Sequence, residues 1–117
     1  MGLEGVDHVA FAVADQEHSI AWYGDVLGLV EEHPEWERHP AMLLKGGSGV
    51  ALFDASEHPP GFLHLAFRVD RASFDEARER LSGRGIEFEI VDHGTAHSMY
   101  FVDPDGVRLE LTTYDLA

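Results

Sequence analysis

One short pattern occurs twice in this chain and constrains its fold more than anything else. His8-Val-Ala-Phe-Ala-Val13 returns as His64-Leu-Ala-Phe-Arg-Val69, in a chain of 117 residues. Self-similarity at about half the chain length points to two related modules, each opening on the same strand. Both copies start an otherwise apolar strand with a histidine. Two histidines at equivalent places in related modules can converge on one point, and imidazole is the commonest metal ligand.

The elements around the repeat follow one order. Residues 6–13 alternate as a strand. Asp15 reads as the N-cap of a helix through Leu27, with Ile20, Tyr23 and Leu27 on one face and Gly28 as its stop. Strands are predicted over about 29–36, 41–45 and 50–54, and Gly46-Gly47-Ser48-Gly49 makes the hairpin between the last two. His58-Pro59-Pro60-Gly61 reads as a linker. The repeated strand covers 63–69. Ser73-Phe-Asp-Glu76 reads as a capping box opening a second helix with Phe74, Ala77 and Leu81 as its buried stripe, ended by Gly83 and Gly85. Strands follow at about 86–91, 97–102 and 107–113, with Asp103-Pro-Asp-Gly106 as the last turn. The order is βαβββ twice, in one domain over 1–117, with modules at about 5–57 and 61–115. This predicts an α+β fold with a curved mixed sheet around a cleft.

Successive strand residues face opposite sides. Val9, Phe11 and Val13 are therefore expected to pack on a helix, with His8, Ala10 and Ala12 opposite. Leu65, Phe67 and Val69 pack likewise, with His64, Ala66 and Arg68 opposite. Met99 and Phe101 are expected to pack, while Ser98, Tyr100 and Val102 face away; Val107, Leu109 and Leu111 are expected to pack, while Arg108, Glu110 and Thr112 face away. His8, His64, Tyr100 and Glu110 thus share the non-helix face. The alanines are expected to leave that face open, and small residues with convergent polar groups describe a pocket. His18, His33, His39 and His58 have polar or Pro-rich neighbours and are expected at the surface.

Two histidines and a glutamate form the facial triad that suits Fe(II) or Mn(II) and leaves positions open for substrate. Glu110 lies between Leu109 and Leu111, where an uncompensated charge is costly. With no cysteine in the chain, any metal must be held by histidine and carboxylate. The net charge of −14, from 22 acidic and 8 basic residues, disfavours nucleic acid and anionic membranes as partners. No apolar run reaches the roughly 20 residues needed to cross a bilayer, and no signal pattern opens the chain, so a cytoplasmic location is expected.

These residues resemble the vicinal oxygen chelate superfamily: glyoxalase I, fosfomycin-resistance proteins, bleomycin-resistance proteins and extradiol dioxygenases. The resemblance includes the paired modules, Ser19-Ile-Ala-Trp-Tyr23, Leu27-Gly-Leu29, and the run from Tyr100-Phe-Val-Asp-Pro-Asp-Gly106 to Glu110. It implies metal ligands at His8, His64 and Glu110, a divalent metal, a small-molecule substrate and a homodimer. Glyoxalase I adds a fourth ligand on the strand before the linker, where this chain has Phe53.

The segment Val91-Asp-His93, Met99-Tyr100, Asp103-Pro-Asp-Gly106 and Glu110 is similar to the extradiol dioxygenase signature. It implies that Tyr100 and His93 lie near the metal as hydrogen-bond partners of a catechol-type substrate. Those enzymes also carry an acid–base histidine on the strand that here offers Gly49, Ala51 and Phe53. Fosfomycin-resistance thiol transferases resemble the chain in length, ligands, Ser98 and Tyr100, but differ at Ala10 and at Ile90-Val91. Bleomycin-resistance proteins, which bind a drug without turnover, are the non-enzymatic alternative. The expectation is a metal-dependent enzyme, nearest to the dioxygenase branch.

Overall fold

The computed structural model describes residues 1–116. The strands are β1 (Gly5–Val13), β2 (Val30–Glu32), β3 (Ala41–Lys45), β4 (Ser48–Asp54), β5 (Gly61–Arg68), β6 (Glu89–Asp92), β7 (His97–Val102) and β8 (Arg108–Thr113). The helices are α1 (Gln16–Leu27) and α2 (Arg71–Gly83). All eight strands belong to one mixed sheet, in an α+β fold. The described residues divide into two compact units: His8–His64, and Met1–Asp7 with residues 65–116.

In the His8–His64 unit the strand order is β2-β3-β4-β1, with β1 and β4 parallel and the other pairs antiparallel. A parallel pair needs a crossover, which α1 supplies. Asp15 caps α1 by accepting from the His18 amide, and Gly28 closes it at φ 71°, a left-handed conformation that glycine adopts without strain. Ile20 and Tyr23 pack on Ala41, Leu43, Leu52 and Val13, as their spacing predicts. Leu27 departs from that stripe and is 57% exposed. Gly49 is required by close approach, since a Cβ there would run into the Leu43 carbonyl across the β3–β4 hairpin.

The predicted strand at 29–36 is much shorter than its apolar residues suggest. β2 stops at Glu32, and Pro34–Trp36 form a 3₁₀ turn. His33, Glu37 and Arg38 all have positive φ, which no local signal announces. The turn is held by tertiary bonds: Arg38 makes two hydrogen bonds to Glu31, and the Gln16 amide donates to the Arg38 and Leu52 carbonyls. His33 and His58 are half-buried rather than at the surface. The His33 ring stacks on Trp36 at 4.3 Å, and His58 meets the Phe53 ring edge-on at 5.1 Å.

In the other unit the order is β5-β8-β7-β6, with β5 and β8 parallel. Here α2 provides the crossover and buries Phe74 and Ala77 against Val69, Met99 and Leu111, with Leu81 beside them. Val107, expected to pack, is instead 40% exposed. The cap of α2 is Asp70, not Ser73. Its carboxylate accepts from the Ser73 amide at 2.8 Å, so the helix begins one turn before the predicted box. Asp70 accepts as well as a serine would and adds a negative charge at the positive end of the helix. Strand β6 starts at Glu89 rather than 86, because Gly85 reverses the chain at φ 68° and the Ile86 amide bonds back to Leu81.

Candidate metal and active site

Strand register sets the site. Each candidate ligand lies on a strand buried between neighbours, where period-two alternation fixes which face its side chain takes. His8 pairs with Gly49 on β4, in the first strand of its βαβ unit. His64 is on β5, two residues before Ala66, and Ala66 is the register partner of Glu110 on β8. Residues two apart on a strand share a face, so register directs Glu110 and His64 to the same side.

All three are buried: His8 is 6% exposed, His64 8% and Glu110 3%. The two imidazoles meet edge to face with ring centroids 5.6 Å apart, and Phe53 lies edge-on to His64 at 6.4 Å. Each of the three residues offers one possible ligand atom, and these atoms lie within 4.8 Å of one another. Two imidazole nitrogens and one carboxylate oxygen suit a divalent transition metal. Buried carboxylates are found paired or on metals, so the donor set fits the ion that the resemblance implies.

Strand β7, the neighbour of β8, carries Ser98 and Tyr100, and His93 lies just past the end of β6. Ser98 donates to Glu110 Oε2 at 2.7 Å, with Thr112 Oγ1 3.4 Å away. That bond orients the carboxylate, as second-layer hydrogen bonds commonly do for metal ligands. Tyr100 is the register partner of Glu110. Its hydroxyl lies 2.9 Å from His93 Nε2, with the donor set by the histidine tautomer. Burial and then the Glu110 charge push the Tyr100 phenol well above its ordinary pKa of 10.0, so it stays a neutral donor. Arg108 stacks its guanidinium over the Tyr100 ring at 4.6 Å. The two predicted hydrogen-bonding residues are therefore brought together, with Tyr100 beside Glu110.

One expectation is corrected. The face beside His8 is not left open by its alanines. Ala10 and Ala51 are 0% and 1% exposed, and Met42, Leu44, Trp36, Phe53 and Leu63 pack over them. Small residues in a strand leave room that larger neighbours fill. The pairing of Ser98 with Glu110 was not legible either. A serine two residues before a tyrosine gives no partner until the register of β7 on β8 is known.

Among the described residues, no helix is long and apolar enough to cross a membrane. The chain is 32% identical to the glutathione transferase FosA of Serratia marcescens, over 98% of this chain and 84% of that protein. It is 34% identical to a biphenyl-2,3-diol 1,2-dioxygenase of Rhodococcus globerulus, over 77% of this chain and 53% of the other. Among solved structures, methylmalonyl-CoA epimerase from Mycobacterium tuberculosis matches with a TM-score of 0.74 and 27% identity, covering 95% of this chain and 88% of that one. The family model for the glyoxalase/bleomycin resistance protein/dioxygenase superfamily matches residues 5–111, and the chain belongs to that superfamily.

Proposed function

We propose that this chain is a metal-dependent enzyme in which His8, His64 and Glu110 hold Fe(II) or Mn(II), and in which Tyr100 hydrogen-bonds an oxygen of a small substrate. The metal reading is supported by three buried side chains whose ligand atoms group within 4.8 Å. When bound, the ion would supply a Lewis-acid centre with positions open to two neighbouring substrate oxygens. The protein's part is binding and proton control. Tyr100 keeps its proton and donates a hydrogen bond, and His93 holds the phenol in place. Ser98 keeps one Glu110 oxygen pinned by donating to it.

The finer reading is extradiol-type cleavage of a catechol with dioxygen as second substrate. The observation that carries it is the 2.9 Å approach of His93 to Tyr100, which stands opposite Glu110 on the neighbouring strand. An acid–base histidine on β4 is absent, since that strand offers Gly49, Ala51 and Phe53. A general acid–base group is worth ~10²–10⁴-fold in rate, so slow turnover is expected unless His93 takes that role. A second reading is transfer of a thiol to an epoxide, and it is favoured by the likeness to FosA over nearly the whole chain. In either case we propose a single domain of two modules acting as a cytoplasmic homodimer.

The test is to load the protein with Fe(II) without oxygen, add a panel of catechols, admit oxygen, and follow its uptake and the yellow ring-opened product. Uptake that falls sharply in Tyr100→Phe supports cleavage. No uptake, but conjugate formation with Mn(II), a small thiol and an epoxide, moves the assignment to thiol transfer. Tight binding of a bulky cationic drug with neither activity leaves a sequestering protein instead. Glu110→Ala should abolish stoichiometric metal uptake; if it binds metal as wild type does, the ligand assignment fails.

A further inference from the structure

A second group of buried polar side chains lies outside the metal and substrate residues. Asp7 is 1% exposed, and each of its carboxylate oxygens has a different partner. Arg68 Nη1 donates to Oδ1 at 3.3 Å, and the Tyr114 hydroxyl donates to Oδ2 at 2.9 Å. Arg68 turns its Nε toward the exposed Glu4, 3.4 Å away. A charge buried this deeply is costly unless paired and hydrogen-bonded, and two apolar residues in place of such a pair are often at least as stable. Stability alone is therefore a weak reason for this cluster.

Its placement gives a better one. Asp7 immediately precedes His8 on β1. Arg68 is four residues beyond His64 on β5, so the two share a face. Tyr114 is four residues beyond Glu110, just past the end of β8. β1 and β5 thus each contribute one member of the cluster, and the residue that follows β8 contributes the third. Arg68 also pairs in register with Thr112, which stands between Glu110 and Tyr114. A slip or rotation of any one of these strands would break a bond to Asp7 as well as move a ligand.

We propose that Asp7, Arg68 and Tyr114 are positioning residues that lock the three ligand-bearing strands in register and so set the geometry of the metal site. The inference rests on the assignment of His8, His64 and Glu110 as ligands. It acts through strand placement, and none of the three is among the candidate ligands.

The test titrates full-length wild type, Tyr114→Phe, Asp7→Asn and Glu4→Gln with Co(II). It reads the dissociation constant by chelator competition and the ligand field by visible absorption, beside circular dichroism and melting of the metal-free proteins. Tyr114→Phe removes one hydrogen bond and leaves the Asp7–Arg68 pair, so its fold should persist. Its affinity is expected to fall about tenfold, within the range seen when groups behind metal ligands are removed, and its absorption bands should shift. Asp7→Asn should fall further. Glu4→Gln touches only the exposed side of Arg68 and should match wild type. If wild type binds Co(II) and Tyr114→Phe binds with the same constant and spectrum, the cluster is structural and the proposal is wrong. If Asp7→Asn does not fold, Tyr114→Phe decides alone. If wild type takes up no Co(II), the ligand assignment itself fails, and this inference with it.

Discussion

At the residue scale the protonation of Tyr100 decides what the site can do. Burial first, and the neighbouring Glu110 charge second, both disfavour its phenolate. Tyr114 is pushed the same way by burial and by Asp7. A raised folded-state pKa means that the unfolded chain loses its proton first as pH rises. The stabilising contribution is therefore complete below the ordinary value of 10.0 and is lost progressively above it. Of the three tyrosines, Tyr100 and Tyr114 should ionise only above that value or together with alkaline unfolding. Absorbance titration at the phenolate band, run beside circular dichroism, reads this directly. Tyr100→Phe should remove one late-ionising group. A Tyr100 that titrated reversibly in the folded protein at neutral pH would sink its assignment as a neutral donor.

At the element scale α2 is the clearest unit of packing. Phe74 is 3% exposed and joins Val69, Ala77, Met99 and Leu111. Phe74→Ala should cost ~3–5 kcal/mol through lost transfer energy and a residual cavity, measured by urea unfolding. At its N-terminus the Asp70 carboxyl is held below its ordinary pKa of 3.8 by the Ser73 amide. A lowered folded pKa gives stabilisation above that value which is lost as pH falls. Asp70→Ala should lower the melting temperature near neutrality, with the difference closing in acid, and Asp70→Ser should retain most of it. Legibility follows the same local logic. The ends of α1 are written in Asp15 and Gly28 because both act through their own backbone neighbours. The turn at Pro34–Trp36 is not, because the Gln16 amide, far back in the sequence, ties the Arg38 carbonyl to that of Leu52. The two histidines were legible because the repeat marks equivalent strand positions. The Asp7 cluster was not, since its bonds join residues 61 and 107 apart in sequence. Ser73 looks like a cap because its motif is right, yet the helix begins one turn earlier, where Asp70 accepts from the Ser73 amide.

At the scale of the whole molecule, metal binding should couple to folding. The candidate ligands lie on β1, β5 and β8. An ion that binds only the folded protein stabilises it by RT ln(1 + [L]/Kd), or ~2.7 kcal/mol at a hundredfold excess over Kd. For a chain of 117 residues that should raise the melting temperature by on the order of 10 °C. Protons compete with a metal for its ligands, so the increment should shrink as the solution is acidified. Glu110→Ala should melt at one temperature with or without metal. Scanning calorimetry at several Mn(II) concentrations and two pH values measures all three effects. Sedimentation of the same samples tests the proposed dimer. β2 and β6 end the strand order, and exposed strand edges are surfaces that proteins normally cover. A dimer whose dissociation abolishes metal uptake would place ligands from two subunits in one site. A monomer that holds Mn(II) with the full melting increment would show instead that one chain supplies all three ligands and that the proposed dimer is wrong.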